Sequence, residues 1–526
     1  MKRKKTLFFV LAAVLLVSAV AIVAVPREAA KQIIVRLTLP PLFHYTPQPA
    51  DRDQQRVISR PIGFYFDLPR AFSSETDGER FTARSDYAAL TVTREWATGR
   101  DVDAYIAHYL NRFILSADYQ AANNIRLTEN VSDGGTQKIS AVLDGCADGV
   151  FDKYTYVFVK TGTKTFYRVM FKYAAADAAM DGRIEAMISS FRYFSPRGRL
   201  PAGRSYSVVT PESWTADTQV AYQRIRARQA PEWGIFAGDI YGAGIDRTIP
   251  ALEEKLRYQF PVILAYTQFG GGFPLDFMQK CHAQGRLVEL TLQTTSSNNE
   301  DLFGYTPFLD LYRGGQDGEI RAFARAARVF GHPFLFRLDN EPNSDWTSYA
   351  GVVNLSDPEI YVANWRRIYR IFEEEGVGNA IWIFNPNDRS FPPCDWNEFS
   401  AYYPGDGYVH MLGVTGYNTG TYYPGETWRE FDAIYGDAAR AYRPAFGAFP
   451  WMITEFASSS VGGNKERWIG RMFQSMGKYP EIKIAVWFNH ADYEGSGDDL
   501  GAVARPYWLD ETPATLEAFR NGLNNH

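Results

Sequence analysis

Two stretches of the chain each run an apolar segment into a glutamate: Pro333-Phe334-Leu335-Phe336-Arg337-Leu338-Asp339-Asn340-Glu341-Pro342-Asn343 and Pro450-Trp451-Met452-Ile453-Thr454-Glu455-Phe456. Their apolar starts suit strands covered on both faces, and Pro342 ends the ladder just past Glu341. Each carboxylate is therefore expected at the C-terminal end of a buried strand. Hydrolysis of a glycosidic bond uses such a pair. In retaining enzymes one carboxyl gives a proton to the leaving oxygen and the other, roughly 5–5.5 Å away, attacks the anomeric carbon. The acid must begin protonated, which an apolar or electronegative setting favours, while its partner must stay ionised through hydrogen bonds. A lone glutamate at a strand end is more often structural; the pair carries the reading.

The elements that must position this pair lie beyond about residue 205, where short apolar strands alternate with helical patterns. Eight strand candidates stand out: Gly234–Ile240, Pro261–Thr267, Leu287–Leu292, Pro333–Asp339, Ala380–Phe384, His410–Thr415, Trp451–Glu455 and Lys483–Asn489. Helical spacing of apolar residues is clearest in Glu319–Phe330 and Lys465–Met476, with a further core face in Ile360–Phe372. This alternation predicts a C-terminal (β/α)8 TIM barrel, whose active site lies at the C-terminal strand ends. Glu341 then ends the fourth strand and Glu455 the seventh. No glycine-rich phosphate loop follows any strand, which disfavours a doubly wound open sheet.

Strand parity puts Leu335, Arg337, Asp339 and Glu341 on one side, so Arg337 and Asp339 are expected to pair below the acid. Tyr417, ending strand six, is expected to donate to the carboxylate on strand seven. Trp487 on strand eight is the candidate sugar floor, because an aromatic face packs on the C–H face of a pyranose. Trp346, Asn385, Asn387 and Asp388 are rim candidates, as are His490, Asp492 and Tyr493 after the last strand.

Taken together, these segments resemble glycoside hydrolase family 26. The matching stretches are Arg337-Leu338-Asp339-Asn340-Glu341-Pro342-Asn343 with Trp346, Ile381-Trp382-Ile383-Phe384-Asn385-Pro386-Asn387, Tyr402-Tyr403-Pro404-Gly405-Asp406 through Gly413-Val414-Thr415-Gly416-Tyr417-Asn418, Met452-Ile453-Thr454-Glu455-Phe456 with Lys465 and Trp468, and Ala485-Val486-Trp487-Phe488-Asn489. The resemblance implies that Glu341 is the acid/base and Glu455 the nucleophile of a retaining β-glycosidase; Asn340, Tyr417, Trp487, Trp346 and Arg337 are expected to bind substrate. One departure stands out. Members of the family carry His-Glu-Met-Asn where this chain has Asn340-Glu341-Pro342-Asn343, a form commoner in sister families of the same clan. A mannan is the first expected substrate, and mixed-linkage β-glucan or xylan the next. The competing reading is a non-catalytic surface protein that binds carbohydrate on a hydrolase barrel.

The whole chain reads as multidomain: a barrel preceded by a smaller α+β domain and an N-terminal membrane-targeting helix. Met1-Lys2-Arg3-Lys4-Lys5 precedes an uncharged run from Leu7 to Val25, long enough to span a bilayer. Residues 1–30 are expected to be a signal peptide or membrane anchor and 31–54 a spacer, so the rest would be exported. Residues 55–196 mix alternating strands with helices at Val102–Leu115 and Ala179–Phe191. The opening Ile62-Gly63-Phe64-Tyr65-Phe66-Asp67-Leu68-Pro69 and the closing Met187-Ile188-Ser189-Ser190-Phe191 resemble PsbP-like domains. No catalytic constellation appears in this part, and an accessory role is expected. Residues 197–210, rich in Pro, Gly and Arg, read as a linker to the barrel at 211–526.

A net charge of -5 gives no electrostatic reason to bind nucleic acid. Three dispersed cysteines and seven histidines without ligand spacing support neither a disulfide scaffold nor a metal, and no cofactor is expected. The expected partners are a polysaccharide or oligosaccharide and, through an uncleaved N-terminus, a membrane.

Overall fold

The computed structural model describes residues 53–110, 113–295, 304–495 and 500–525. The N-terminal segment expected to target the membrane lies outside the described residues. Among those described, no helix is long and apolar enough to cross a bilayer.

Eight parallel strands close a barrel in chain order: Glu232–Ala237, Val262–Gln268, Leu287–Gln293, Phe334–Leu338, Ala380–Phe384, Met411–Thr415, Trp451–Phe456 and Ile482–Asn489. These are the eight strands expected, with ends moved by at most three residues and Ala380–Phe384 unchanged. Strands four to seven are buried at every position, which is why they read as continuous apolar runs. One departure from strict alternation occurs. Strands five and six are joined by three short 3-10 turns, Asp395–Asn397, Phe399–Tyr402 and Asp406–Tyr408, and not by an α-helix.

The barrel interior is filled by Val262, Leu264, Leu335, Ile381, Ile383, Met411, Met452, Ile484 and Val486. Trp214, Tyr222 and Ile225 join the same cluster from the region of helix Ala216–Ala227. That helix caps the N-terminal mouth: Trp214 Nε1 donates to the Ala380 carbonyl (3.1 Å) and Tyr222 OH to the His410 carbonyl (3.0 Å). Only the C-terminal mouth is left open for chemistry.

The preceding region forms a seven-stranded antiparallel sheet, and period-two alternation gives it two apolar faces. Val157, Val169 and Phe171 pack with Met180, Ile184 and Met187 of helix Ala178–Ser190. Tyr154, Tyr156, Phe158, Phe166 and Met170, on the other face, join the cluster that also forms the outer core of the barrel. Polar contacts fix the joint. Tyr119 OH donates to the Val353 carbonyl (2.7 Å), Arg168 to the Ser356 carbonyl (2.6 Å), and Lys172 pairs with Asp357 (2.9 Å) and Glu359 (2.6 Å). All four barrel partners lie in the segment that follows Glu341.

Candidate active site

Strand four ends at Leu338, and the backbone then leaves the extended region: Asp339 has φ 46° and Glu341 φ 60°. Left-handed geometry at non-glycine residues costs on the order of 1–3 kcal/mol each and persists only where the surroundings impose it. Here they do. Asp339 N–H donates to the Leu292 carbonyl (2.9 Å) and Glu341 N–H to the Asn385 carbonyl (2.8 Å), so strands three and five grip the turn. The Asp339 carboxylate receives the Thr294 N–H (2.7 Å) and hydroxyl (2.8 Å). The expected Arg337–Asp339 pair is therefore not made. The turn breaks strand parity after Leu338, and Asp339 faces the third strand's end.

Arg337 lies inside the barrel, fully buried. Its Nη1 donates to Glu455 Oε1 (2.9 Å) and Asn385 Oδ1 (2.9 Å), its Nε donates to Thr291 Oγ1 (2.7 Å), and Nε also stands 2.9 Å from Glu289 Oε1. It supports the site from below and has no face toward a substrate, which corrects its expected place among the binding residues. Burial opposes its charge, but Glu289 and Glu455 outweigh burial and hold the guanidinium protonated. Arg337→Met is expected to destabilise the fold by about 3–5 kcal/mol in chemical unfolding, because it strands the buried Glu455 carboxylate without its counter-charge.

Glu455 and Glu341 are 5% and 6% exposed and sit in contrasting settings. Four donors converge on Glu455. Arg337 and Asn340 Nδ2 (3.4 Å) reach Oε1, while Tyr417 OH (3.1 Å) and Tyr266 OH reach Oε2. Burial and the Glu455 charge push both phenols well above their ordinary range, so they remain donors. Among the described residues, Glu341 has two neutral donors on Oε2, Trp346 Nε1 (2.7 Å) and Asn387 Nδ2 (2.8 Å). Burial first, then the Glu455 charge, raises the Glu341 carboxyl to about 7, against the pull of Asn387, Trp346 and Arg337. One carboxyl is thus built to hold a proton and the other to carry charge, the division that acid/base and nucleophile roles require.

The structure brings Asn340, Tyr417 and Trp346 to the two glutamates, as the sequence suggested for Tyr417. Asn340 is itself fixed, its Oδ1 accepting from Gln293 Nε2 (3.0 Å) and Tyr349 OH (3.0 Å). Trp346 is 36% exposed and presents its ring at the rim. Trp487 is not at the site. It is fully buried among Phe456, Trp468 and Phe519, and its Nε1 donates to the Tyr507 carbonyl (2.8 Å). The strand-eight residue that faces the cleft is its neighbour Phe488, stacked on Phe236 at 4.7 Å and edge-on to Tyr417 at 5.8 Å. A one-residue error in facing moves a side chain to the opposite side of a strand.

Tyr266, Gln293 and Glu289 were not anticipated, and Asn387 was placed only on the rim. Parity within Val262-Ile263-Leu264-Ala265-Tyr266-Thr267-Gln268 puts Tyr266 on the same face as Val262 and Leu264, and Glu289 is a charge inside an apolar strand; both signals are legible. Tyr266 and Gln293 also line a cleft of 490 Å³ with Tyr241, Thr267, Gln268, Gly271 and Pro274, at the barrel mouth beside Glu455. A larger cleft of 1450 Å³ runs between the sheet and the barrel, and neither glutamate lines it.

Residues 321–460 match the glycosyl hydrolase family 26 model, a span that contains both glutamates. Over 226 residues the chain is 32% identical to Endoglucanase H of Acetivibrio thermocellus, covering 41% of this chain and 23% of that relative's length. Among solved structures, a family 26 β-mannanase from Bacteroides ovatus is similar at 17% identity and TM-score 0.44, covering 59% of this chain and 93% of that one. The catalytic domain of a family 26 endo-β-1,4-mannanase from a Bacillus species is similar at 14% identity and TM-score 0.45, covering 61% and 92%. The part of the barrel between residues 321 and 460 is thus similar to glycosyl hydrolase family 26.

Proposed function

We propose that the chain is a retaining endo-β-glycosidase that hydrolyses a β-glycan by double displacement. The observation that carries this reading is the contrast between the two buried carboxyls at the ends of strands four and seven. Glu341, raised to about 7, protonates the glycosidic oxygen as Glu455 attacks the anomeric carbon. The bond to the leaving sugar breaks and a glycosyl ester forms on Glu455. Glu341, now a carboxylate, then takes a proton from the water that hydrolyses this ester, and both groups return to their starting states. Arg337, Tyr266, Tyr417 and Asn340 hold the Glu455 carboxylate in one orientation throughout.

The family 26 match supports a mannan as substrate. The Asn340-Glu341-Pro342 sequence and the Endoglucanase H relative support a β-glucan. Xylan ranks third. The cleft that Tyr266 and Gln293 line, joined to Glu455 through the Tyr266 hydroxyl, supports binding of a sugar chain beside the nucleophile. The basic N-terminus and uncharged run support an exported, surface-attached or secreted enzyme.

The deciding experiment incubates the purified chain with β-mannan, mixed-linkage β-glucan and xylan, following reducing ends and product anomers. The expected result is rapid loss of viscosity on one polymer, with products of retained configuration. Binding without turnover on every polymer would favour the non-catalytic carbohydrate-binding reading instead.

A further inference from the structure

Below the two glutamates lies a third acid that the double displacement does not use. Glu289, on strand three, is fully buried, and in register it stands between Leu264 of strand two and Leu335 of strand four. Among the described residues, nothing donates a hydrogen bond to either of its carboxyl oxygens. The charged and titratable groups that face it are Arg337 from strand four, Glu455 from strand seven and Tyr266 from strand two. Glu289 Oε1 is 2.9 Å from Arg337 Nε, but the proton on that nitrogen is directed to Thr291 Oγ1.

Two carboxylates therefore stand on one guanidinium, each at 2.9 Å. Among buried groups, ionising both leaves one negative charge unbalanced, which is strongly unfavourable. One of them must carry a proton. Glu455 has four donors and Glu289 has none, so the proton belongs on Glu289. Burial first, then the Glu455 charge, raises the Glu289 carboxyl to about 8 against the pull of Arg337.

We propose that Glu289 is a positioning residue that acts through Arg337: while it bears a proton the guanidinium is left to Glu455, and when it loses the proton it draws the guanidinium away from the nucleophile. The inference rests on the retaining reading above. It adds a second proton that must be in place for turnover, beside the one on Glu341.

The test is the alkaline side of the pH profile of kcat/KM on whichever polymer is cleaved. With both Glu341 and Glu289 required in protonated form, log kcat/KM in the wild type should fall with a limiting slope of about -2. In Glu289→Gln, whose carboxamide cannot ionise, the slope should relax to about -1. A purely structural role would lower the thermal midpoint and leave the slope unchanged. A wild-type slope of about -1 overturns the proposal without any variant, and so does a slope that Glu289→Gln leaves unchanged. Infrared spectroscopy keeps the two readings separate. A protonated-carboxyl C=O band present at about pH 6, lost by about pH 10 and removed by Glu289→Gln, separate from the band that Glu341→Gln removes, is expected even if no polymer is cleaved. In that event the glycosidase reading fails while the proton on Glu289 stands; absence of the band sinks the Glu289 proposal alone.

Discussion

Glu455→Ala is expected to abolish glycan hydrolysis, with kcat/KM lower by at least about 10⁴-fold, equivalent to roughly 5.5 kcal/mol of transition-state stabilisation. The size of the effect follows from what the residue does. Without its carboxylate no glycosyl ester forms, and the four groups that oriented it face a void. The variant also makes a sharper test than lost activity. A small anion such as azide fits where the carboxylate was and can attack the anomeric carbon directly. Added azide should restore turnover, and the glycosyl azide produced should have inverted configuration. Rescue with retained configuration would exchange the roles of the two glutamates, and an unimpaired Glu455→Ala enzyme would remove the double displacement altogether. Binding of the oligosaccharide, followed by calorimetry, should persist in the variant, because Glu455 is only one edge of the cleft.

The barrel and its two glutamates were legible because parallel strands buried on both faces appear in sequence as short apolar runs, and because a barrel puts its chemistry at the ends of those runs. What was not legible depends on the backbone or on distant partners. Asp339 and Glu341 adopt positive φ, so alternation stops at Leu338 and the Arg337–Asp339 pairing drawn from it fails. Trp487 and Phe488 are adjacent aromatics of which only one can face the cleft, and residue type alone favoured the wrong one. Tyr266 and Glu455 are 189 residues apart, and only closure of the barrel brings strand two across from strand seven. The turns that replace a helix between strands five and six are tied to the sheet. Glu95, buried on the third strand of the seven-stranded sheet, accepts the backbone N–H groups of Asp395 (2.9 Å) and Trp396 (3.1 Å). Asn397, next in the chain, donates to the Asn343 carbonyl (3.0 Å) two residues past Glu341. The sheet thus braces the loops that carry the acid, a connection spread over some 300 residues of sequence separation.

Glu341→Ala should lower polymer hydrolysis by roughly 10³-fold, within the range contributed by general acid catalysis. Its signature is dependence on the leaving group. An aryl glycoside whose phenolate departs without protonation still forms the ester on Glu455, so its glycosylation step should stay near the wild-type rate while deglycosylation slows for lack of a base. Azide should accelerate that second step, and its product should have retained configuration, opposite to that from Glu455→Ala. The pH dependence follows from the same carboxyl. Glu341 acts as an acid only while protonated, so wild-type activity is lost as pH rises through about 7, and the aryl-glycoside profile of the variant should lack that limb. Stability should move the same way. The folded-state value of about 7 lies above the ordinary 4.5, so the folded chain binds a proton that the unfolded chain has released across that interval, and Glu341 destabilises the fold progressively as pH rises through it. Glu341→Gln removes this loss while keeping an amide for Trp346 and Asn387. Its thermal midpoint relative to the wild type should therefore rise between about pH 5 and pH 8. A relative midpoint that stays flat over this range would show that Glu341 is ionised in the resting protein, and the proton for the leaving oxygen would have to come from another group.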